Sequence, residues 1–238
     1  YTVGGILLLI TANILDCVDG QLARLTGIKS AIGRILDGIA GDIWFILIYV
    51  GLGLRLTHLY GTGWFFVPAV ASGLSHLLQA GITDYYKTLH LYFVSREKGR
   101  EFHSIDQVKA QQRAMESRTN RAFYALYEVY TRVQEFWTPT LQQMLRTLQA
   151  RYGDDIPERL RVAFRSRSRR LMTHYIDLMT FNGRTIVLFL VMLLSIRWSH
   201  LVWIYFIYEA VVLNVILLLS IHKHERICRD IIALDEQA

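Results

Sequence analysis

The sequence is poor in cysteine and lacks the common motifs of soluble enzymes. Its 238 residues include two cysteines, Cys17 and Cys228. They are too few and too far apart for a disulfide framework or a zinc site. The sequence also contains no internal repeat, no glycine-rich phosphate loop and no Ser/His/Asp arrangement. It therefore gives no support to a disulfide-rich fold, a zinc centre, a P-loop nucleotide site or a serine hydrolase.

The chain is too apolar for an ordinary soluble domain. Apolar residues make up 53% of the sequence, and the mean hydropathy is positive, which is typical of membrane proteins. Stretches long enough to cross a bilayer recur at residues 2–22, 34–56, 63–92, 176–197 and 200–222. A water-soluble bundle of buried helices is the alternative. The pattern favours an all-α, polytopic membrane helical bundle with about five spans.

A run of polar residues begins within the first of these stretches, where a membrane helix should stay apolar. Leucine-rich sequence lies before it and after it. Carboxylates at the edge of a bilayer are costly, so they generally mark functional sites. The alternative is a polar loop that joins two helices, but the regular spacing of the residues argues against it. The carboxylates in this region are Asp16, Asp19 and Asp37.

The first helix of this region carries the parts of a phosphate site. Asp16 and Asp19 share one face because they are three residues apart. Gly20 and Ala23 flank that face and let a ligand approach closely. Arg24 follows Gly20 by one turn and offers a planar fork to phosphate oxygens.

A second helix adds Gly33 and, one turn later, Asp37. A hairpin of the two helices would bring the three carboxylates together beside the arginine. Clustered carboxylates without histidine or cysteine suit a hard cation such as Mg²⁺ or Mn²⁺. A metal, an arginine and a floor of small residues can together hold a pyrophosphate.

This region resembles the signature of the CDP-alcohol phosphotransferases, also called CDP-alcohol phosphatidyltransferases, which reads D-x2-D-G-x2-A-R-x8-G-x3-D-x3-D. Seven positions are in register, namely Asp16, Asp19, Gly20, Ala23, Arg24, Gly33 and Asp37. The resemblance covers about residues 13 to 42, and elsewhere only the hydropathy profile is similar. It implies a membrane transferase of phospholipid biosynthesis with a two-metal site for Mg²⁺ or Mn²⁺. The metal ligands would be Asp16, Asp19, Asp37 and a fourth aspartate, and the substrate-binding residues would include Gly20, Ala23, Arg24 and Gly33.

The last position of the signature departs from the family. The fourth aspartate would fall on Gly41, whereas an aspartate, Asp42, lies one residue later. The resemblance assigns this carboxylate to the second metal and to activation of the attacking hydroxyl. On a regular helix Asp42 points about 100° away from Gly41. We therefore predict a π-bulge here, or a shifted helix, which would place Asp42 within a few ångströms of the other three aspartates. The alternative is an impaired site in which Asp42 is unrelated.

The family usually has six spans, one of them before the motif helix. This chain starts at Tyr1 and is already apolar at Val3. We therefore expect the first family span to be missing and the chain to be a fragment.

The distribution of basic residues predicts the orientation in the membrane. Arg24, Lys29 and Arg34 lie between the first two spans, and the segment 96–172 is strongly basic. Lys223, Arg226 and Arg229 follow the last span, while the opposite side has only Arg55 and Arg197. By the positive-inside rule we expect an inner-membrane protein whose active site faces the cytoplasm.

We predict four regions along the chain. Residues 1–95 hold membrane helices with the motif at 16–42, and residues 96–172 form a basic helical cytoplasmic insert. Residues 173–224 form two further membrane helices, and 225–238 form a cytoplasmic tail. Pro139 should divide the insert, and the turn before Glu158 should restart a helix. The insert also contains a basic cluster, which either attracts anionic headgroups or reflects the ordinary charge bias of an inner loop. The cluster consists of Arg159, Arg161, Arg165, Arg167, Arg169 and Arg170.

Polar residues within the later spans form a second group of candidates. Arg184 could bind the phosphate of an acceptor alcohol or of a lipid, and helix–helix structure or snorkelling is the alternative. Glu209 and Asn214 lie in the fifth predicted span. His76 and Gln79 are interpreted as helix–helix packing contacts.

These observations lead to one functional hypothesis and two alternatives. The hypothesis is transfer of a phosphatidyl or other substituted phosphate group from a CDP-alcohol, such as CDP-diacylglycerol, to an acceptor alcohol with release of CMP. The alternatives are a degenerate member that binds nucleotide and metal without turnover, and a metal transporter. The expected partners are the CDP-linked donor, the acceptor alcohol and membrane lipids, with a homodimer as one assembly and no nucleic acid.

Overall fold

The computed structural model describes residues 2–26, 31–94, 105–114, 117–153 and 155–237. Within these ranges the regular structure is helical and contains no strand. The α-helices of these ranges are α1 (Thr2–Thr26), α2 (Ala31–Tyr60), α3 (Phe66–Val94), α4 (Ile105–Ala114), α5 (Arg118–Phe136), α6 (Pro139–Tyr152), α7 (Glu158–Leu171), α8 (Phe181–Arg197), α9 (Trp203–Ile207) and α10 (Leu213–Glu236). Two π-helical turns, Met172–Ile176 and Tyr208–Val212, interrupt the α-helical pattern.

The helices confirm the predicted all-α membrane fold. Four helical stretches of the described chain are long and apolar enough to span a bilayer, namely Thr2–Leu22, Leu36–Tyr60, Gly63–Val94 and Ser199–Glu236. A bent pair, Glu158–Met179 with Phe181–Arg197, makes a fifth when it is counted as one span. These lengths and compositions agree with the five spans predicted from the sequence.

The fourth predicted span, residues 176–197, is not one regular helix in the structure. The chain bends by 45° between its two helical parts, where Thr180 is extended with φ −77° and ψ 166°. Gly183 lies so close to the preceding turn that a Cβ there would be 2.5 Å from the Asp177 carbonyl oxygen. Because no larger residue fits without moving that backbone, the glycine permits the bend. The apolar periodicity of the span does not reveal a break of this kind.

The described chain divides into two compact units. The first consists of Tyr1–His76 and Arg184–Ala210, and the second of Leu77–Gly183 and Val211–Ala238. The four regions predicted from the sequence stay a prediction.

The first unit is built around one stripe of α2. Phe45, Tyr49, Leu52 and Leu56 are buried, and their alternating spacing of four and three residues places them on one helix face. The ring of Phe45 lies 4.4 Å from that of His76 on α3. Gly61, with φ +69°, ends α2 as a left-handed cap.

The second unit holds the predicted helical insert. Pro139 begins α6 and α7 begins at Glu158, as predicted. Both helices contact α10. The carboxylate of Asp235 on α10 accepts hydrogen bonds from Arg151 and Tyr152, each at 2.7 Å. Helices α6 and α7 of the insert therefore pack on α10, and hydrogen bonds to Asp235 fix the end of α6 to the end of α10.

Two arginines of the basic cluster have a structural role in the same unit. Arg161 donates to the carbonyl oxygens of Tyr92 and Phe93, and Arg165 donates to that of Val94. They satisfy carbonyls that the last turn of α3 leaves without helical partners. Other members of the cluster are exposed, namely Arg159, Arg167, Arg169 and Arg170.

Candidate functional site

The family-like motif lies on α1 and α2. Asp16 and Asp37 are both exposed, on α1 and α2 respectively. Gly20 and Gly33 also lie on these helices. The side chains of Asp19, Ala23 and Arg24 are outside the described part of the structure, as are residues 27–30 between the two helices. The substrate-binding roles predicted for the glycines, Ala23 and Arg24 stay predictions.

The predicted metal ligands fit a hard cation by their chemistry. Asp16, Asp19, Asp37 and Asp42 offer carboxylate oxygens, which Mg²⁺ and Mn²⁺ prefer. Asp16 and Asp37 are exposed residues. Among the described side chains, however, Asp16, Asp37 and Asp42 do not form a group whose oxygens all lie within 4.8 Å of one another. Their assembly around a cation stays a prediction.

The π-bulge predicted at Asp42 is wrong. Helix α2 is α-helical at every residue from Ala31 to Tyr60. Asp42 comes three residues before Phe45 and seven before Tyr49, so it extends the buried stripe of α2. Asp37 precedes Asp42 by five residues, which places the two about 140° apart around the helix. Packing of the stripe on α3 therefore decides where Asp42 points, rather than the register of the motif.

Asp42 lies against a buried histidine. Its Oδ1 is 3.6 Å from His76 Nε2, and the exposed fractions of the two side chains are 27% and 5%. The other ring nitrogen, Nδ1, shares a hydrogen bond of 3.0 Å with the Tyr49 hydroxyl. It is also 3.4 Å from Glu209 Oε1. His76 therefore stands between two carboxylates.

Glu209 in turn forms an ion pair with Arg184, and both side chains are buried. Buried charges on membrane helices are tolerated only when they compensate one another. Glu209 lies in the π-helical turn Tyr208–Val212, and such turns are concentrated at functional sites. We call Asp42, His76, Glu209 and Arg184 the polar chain; all four belong to the first unit.

The polar chain was only partly predictable. Arg184 and Glu209 were singled out as polar residues of the spans, and the ion pair between them corresponds to the helix–helix alternative considered for Arg184. The substrate-binding role of Arg184 stays a prediction. His76 does contact another helix, as interpreted, but its position between two carboxylates was missed. A pattern in the sequence could have indicated this position, because polar residues recur along α3 at alternating spacings of four and three. These residues are buried in the structure, namely Ser72, His76, Gln79 and Thr83.

A second group of residues in the described chain has metal-ligand chemistry. Ligand atoms of His224, Glu225 and Cys228 all lie within 4.8 Å of one another. Glu225 is already used, because its two oxygens accept hydrogen bonds from the backbone N–H groups of Thr140 and Leu141 at 2.7 and 3.3 Å. The His224 ring stacks on Tyr86 at 3.9 Å. These contacts give the group a structural role in packing the second unit.

Comparison with known proteins identifies the motif-bearing part of the chain. Residues 2–93 match the family model described as CDP-alcohol phosphatidyltransferase. The match covers less than half of the chain and includes α1, α2 and nearly all of α3. No curated protein and no solved structure matches the chain.

Proposed function

We propose that this integral membrane protein transfers a phosphatidyl or other substituted phosphate group from a CDP-alcohol to an acceptor alcohol, because residues 2–93 match the CDP-alcohol phosphatidyltransferase family model. The family match confirms the resemblance read from the sequence and implies phosphatidyl transfer in lipid biosynthesis. The observation that carries the proposal is the motif on α1 and α2 with seven positions in register. CDP-diacylglycerol is the proposed donor.

The proposed reaction is a displacement at the β-phosphorus of the donor. The acceptor hydroxyl oxygen forms a bond to that phosphorus, and the bond to the bridging oxygen breaks, so that CMP leaves with that oxygen. The hydroxyl proton passes to a carboxylate, for which Asp42 is the proposed base. Arg24 binds donor phosphate oxygens, and Gly20, Ala23 and Gly33 allow the donor to approach the helices. A divalent cation held by Asp16, Asp19, Asp37 and Asp42 would neutralise charge on the pyrophosphate.

The proposed location is a cell membrane, with the motif facing the cytoplasm. The basic residues that flank the motif and follow the last span support this orientation. A water-soluble product such as CMP would then be released on the side where nucleotides are recycled. The predicted homodimer has no support from the family match and stays a prediction.

A second candidate is a family member that binds donor and metal without turnover. It is favoured by one observation, the regular course of α2 through Gly41 and Asp42. The family position for the fourth aspartate is occupied by glycine, and Asp42 faces His76 instead.

The test is an assay of CMP release by the purified protein in proteoliposomes. Labelled CDP-diacylglycerol would be supplied with Mg²⁺ or Mn²⁺ and with glycerol phosphate, inositol, inositol phosphate or serine in turn. CDP-choline with diacylglycerol would test the opposite arrangement of donor and acceptor. We expect CMP release that needs one acceptor and stops when the cation is chelated.

Two other results would contradict the proposal. Donor binding without CMP release for any acceptor would support the non-catalytic member. Cation uptake into sealed vesicles, without donor, would support the transporter considered from the sequence.

A separate variant tests the donor-binding role of Arg24. We expect Arg24→Lys to raise the donor KM about 10-fold, because an ammonium group cannot replace a bidentate fork. Unchanged donor dependence would make Arg24 an anchor at the membrane surface.

A further inference from the structure

We propose that His76 is a positioning residue that holds Asp42 at the end of the motif. Asp42 can then take the role of the aspartate that is missing at residue 41. This inference rests on the proposed function and adds a residue that the motif does not contain. The polar chain then connects the buried Arg184–Glu209 pair with the carboxylate that the reaction needs.

The first step of the argument is the register of α2. A carboxylate at residue 41 would lie on the face of Asp37, since the two positions are four residues apart. Asp42 lies instead on the stripe that faces α3. A polar side chain on that stripe needs a polar partner on α3 if it is to stay ordered beside apolar neighbours. His76 supplies this partner at 3.6 Å.

The second step is that His76 is itself fixed. Its ring packs on Phe45, with the ring centres 4.4 Å apart. Its Nδ1 is hydrogen-bonded to the Tyr49 hydroxyl at 3.0 Å, and its Nε2 is the ring nitrogen that faces Asp42. A side chain held by ring packing and at one nitrogen can orient a partner precisely enough to affect a reaction.

The third step is the gradient of exposure along the polar chain. Arg184 is 1% exposed, Glu209 0% and His76 4%, whereas the side chain of Asp42 is 27% exposed. The chain therefore begins in the interior of the first unit and ends at a partly open carboxylate on a motif helix. If the polar chain served packing alone, there would be no reason for its last residue to be a partly exposed carboxylate on a motif helix.

The test compares His76→Gln in two backgrounds. One is the natural sequence, and the other is Gly41→Asp/Asp42→Ala, which restores the family position. Apart from the nearby backbone of α2 itself and the neighbouring residues, no atom of the described residues lies within 4 Å of a Cβ built on Gly41, so the new aspartate has room among them. In the natural background we expect His76→Gln to lower kcat by about 10- to 100-fold, as loss of a residue that orients a ligand does. In the restored background the same substitution should change kcat by less than about 3-fold, because the aspartate no longer depends on the histidine.

The matched control is His224→Gln, which replaces a buried histidine of the second unit. It should leave kcat unchanged in both backgrounds when rates are corrected for the folded fraction. An equal loss of kcat from His76→Gln in the two backgrounds would show that His76 is merely structural and would overturn the proposal.

A second measurement does not depend on activity. In a Cys17→Ser/Cys228→Ser background, a short bifunctional thiol reagent should cross-link the pair Asp42→Cys/His76→Cys. The pair Gly41→Cys/His76→Cys should not be cross-linked, because residue 41 points about 100° away. Cross-linking of the second pair alone would overturn the proposed geometry even if the restored background is inactive. An absence of CMP release by the natural sequence would contradict the proposed function, whereas the cross-linking result would still decide whether His76 faces Asp42.

Discussion

Glu209 in the first unit and Glu225 in the second are both buried carboxylates, but they have different partners. Glu225 accepts hydrogen bonds from two backbone N–H groups at the start of α6. Glu209 interacts with two side chains, Arg184 and His76. One carboxylate completes a helix end, and the other belongs to a series of side chains that reaches a motif aspartate. A buried carboxylate thus indicates a functional role only when the side chains that it contacts also contact residues of a candidate site.

The role of Glu225 follows from the sequence at the start of α6. Thr138 is the N-cap residue but makes no side-chain capping bond, and Pro139 follows it. The free N–H groups of that first turn therefore need an acceptor from elsewhere. A carboxylate is well suited because the N-terminal end of a helix carries partial positive charge.

The largest expected effect comes from the other three aspartates of the motif. We expect Asp16→Asn, Asp19→Asn and Asp37→Asn each to lower CMP release by on the order of 10³-fold, since each removes an electrostatic group that the reaction needs. The protein should remain folded in detergent. The control is Asp230→Asn on an exposed position of α10, which should be neutral. Near-normal activity of any of the three variants would remove that residue from the site.

The next effect concerns the stability of the first unit. Glu209→Gln leaves Arg184 buried without its carboxylate, so we expect the free energy of unfolding to fall by about 3–5 kcal/mol. Denaturant titration in detergent would measure it. The double variant Arg184→Met/Glu209→Gln should recover most of this loss, because no uncompensated charge remains. A double variant as unstable as Glu209→Gln alone would show that the ion pair is not the reason for the loss.

The smallest effect is expected at the other carboxylate. Glu225→Gln should lower the free energy of unfolding by about 1–2 kcal/mol, the usual cost of losing a helix cap. It should leave kcat per folded molecule unchanged. Limited proteolysis around residues 139–152 would detect local opening of α6. A fall in kcat without a change in stability would contradict a purely structural role and would weaken the contrast with Glu209.

The sequence alone predicted the spans and the motif helices well, because apolar length and proline position are local signals. Pro139 and Pro157 marked helix starts correctly. The local geometry of Asp42 was predicted wrongly because the motif register was given more weight than the packing stripe. Asp42, Phe45 and Tyr49 share the spacing of that stripe, so the sequence did contain the information. The contact between His76 and Glu209 joins residues far apart in the chain, and periodicity indicates faces rather than partners.

The most direct test of the account is the rate of CMP release by Asp42→Asn, measured together with binding of the CDP-linked donor. The account holds that Asp42 provides the base although it lies one residue beyond the family position. It predicts that Asp42→Asn removes turnover and leaves donor binding largely intact, as loss of a base should. Turnover at the rate of the natural sequence would contradict it and would transfer the role of the base to another residue.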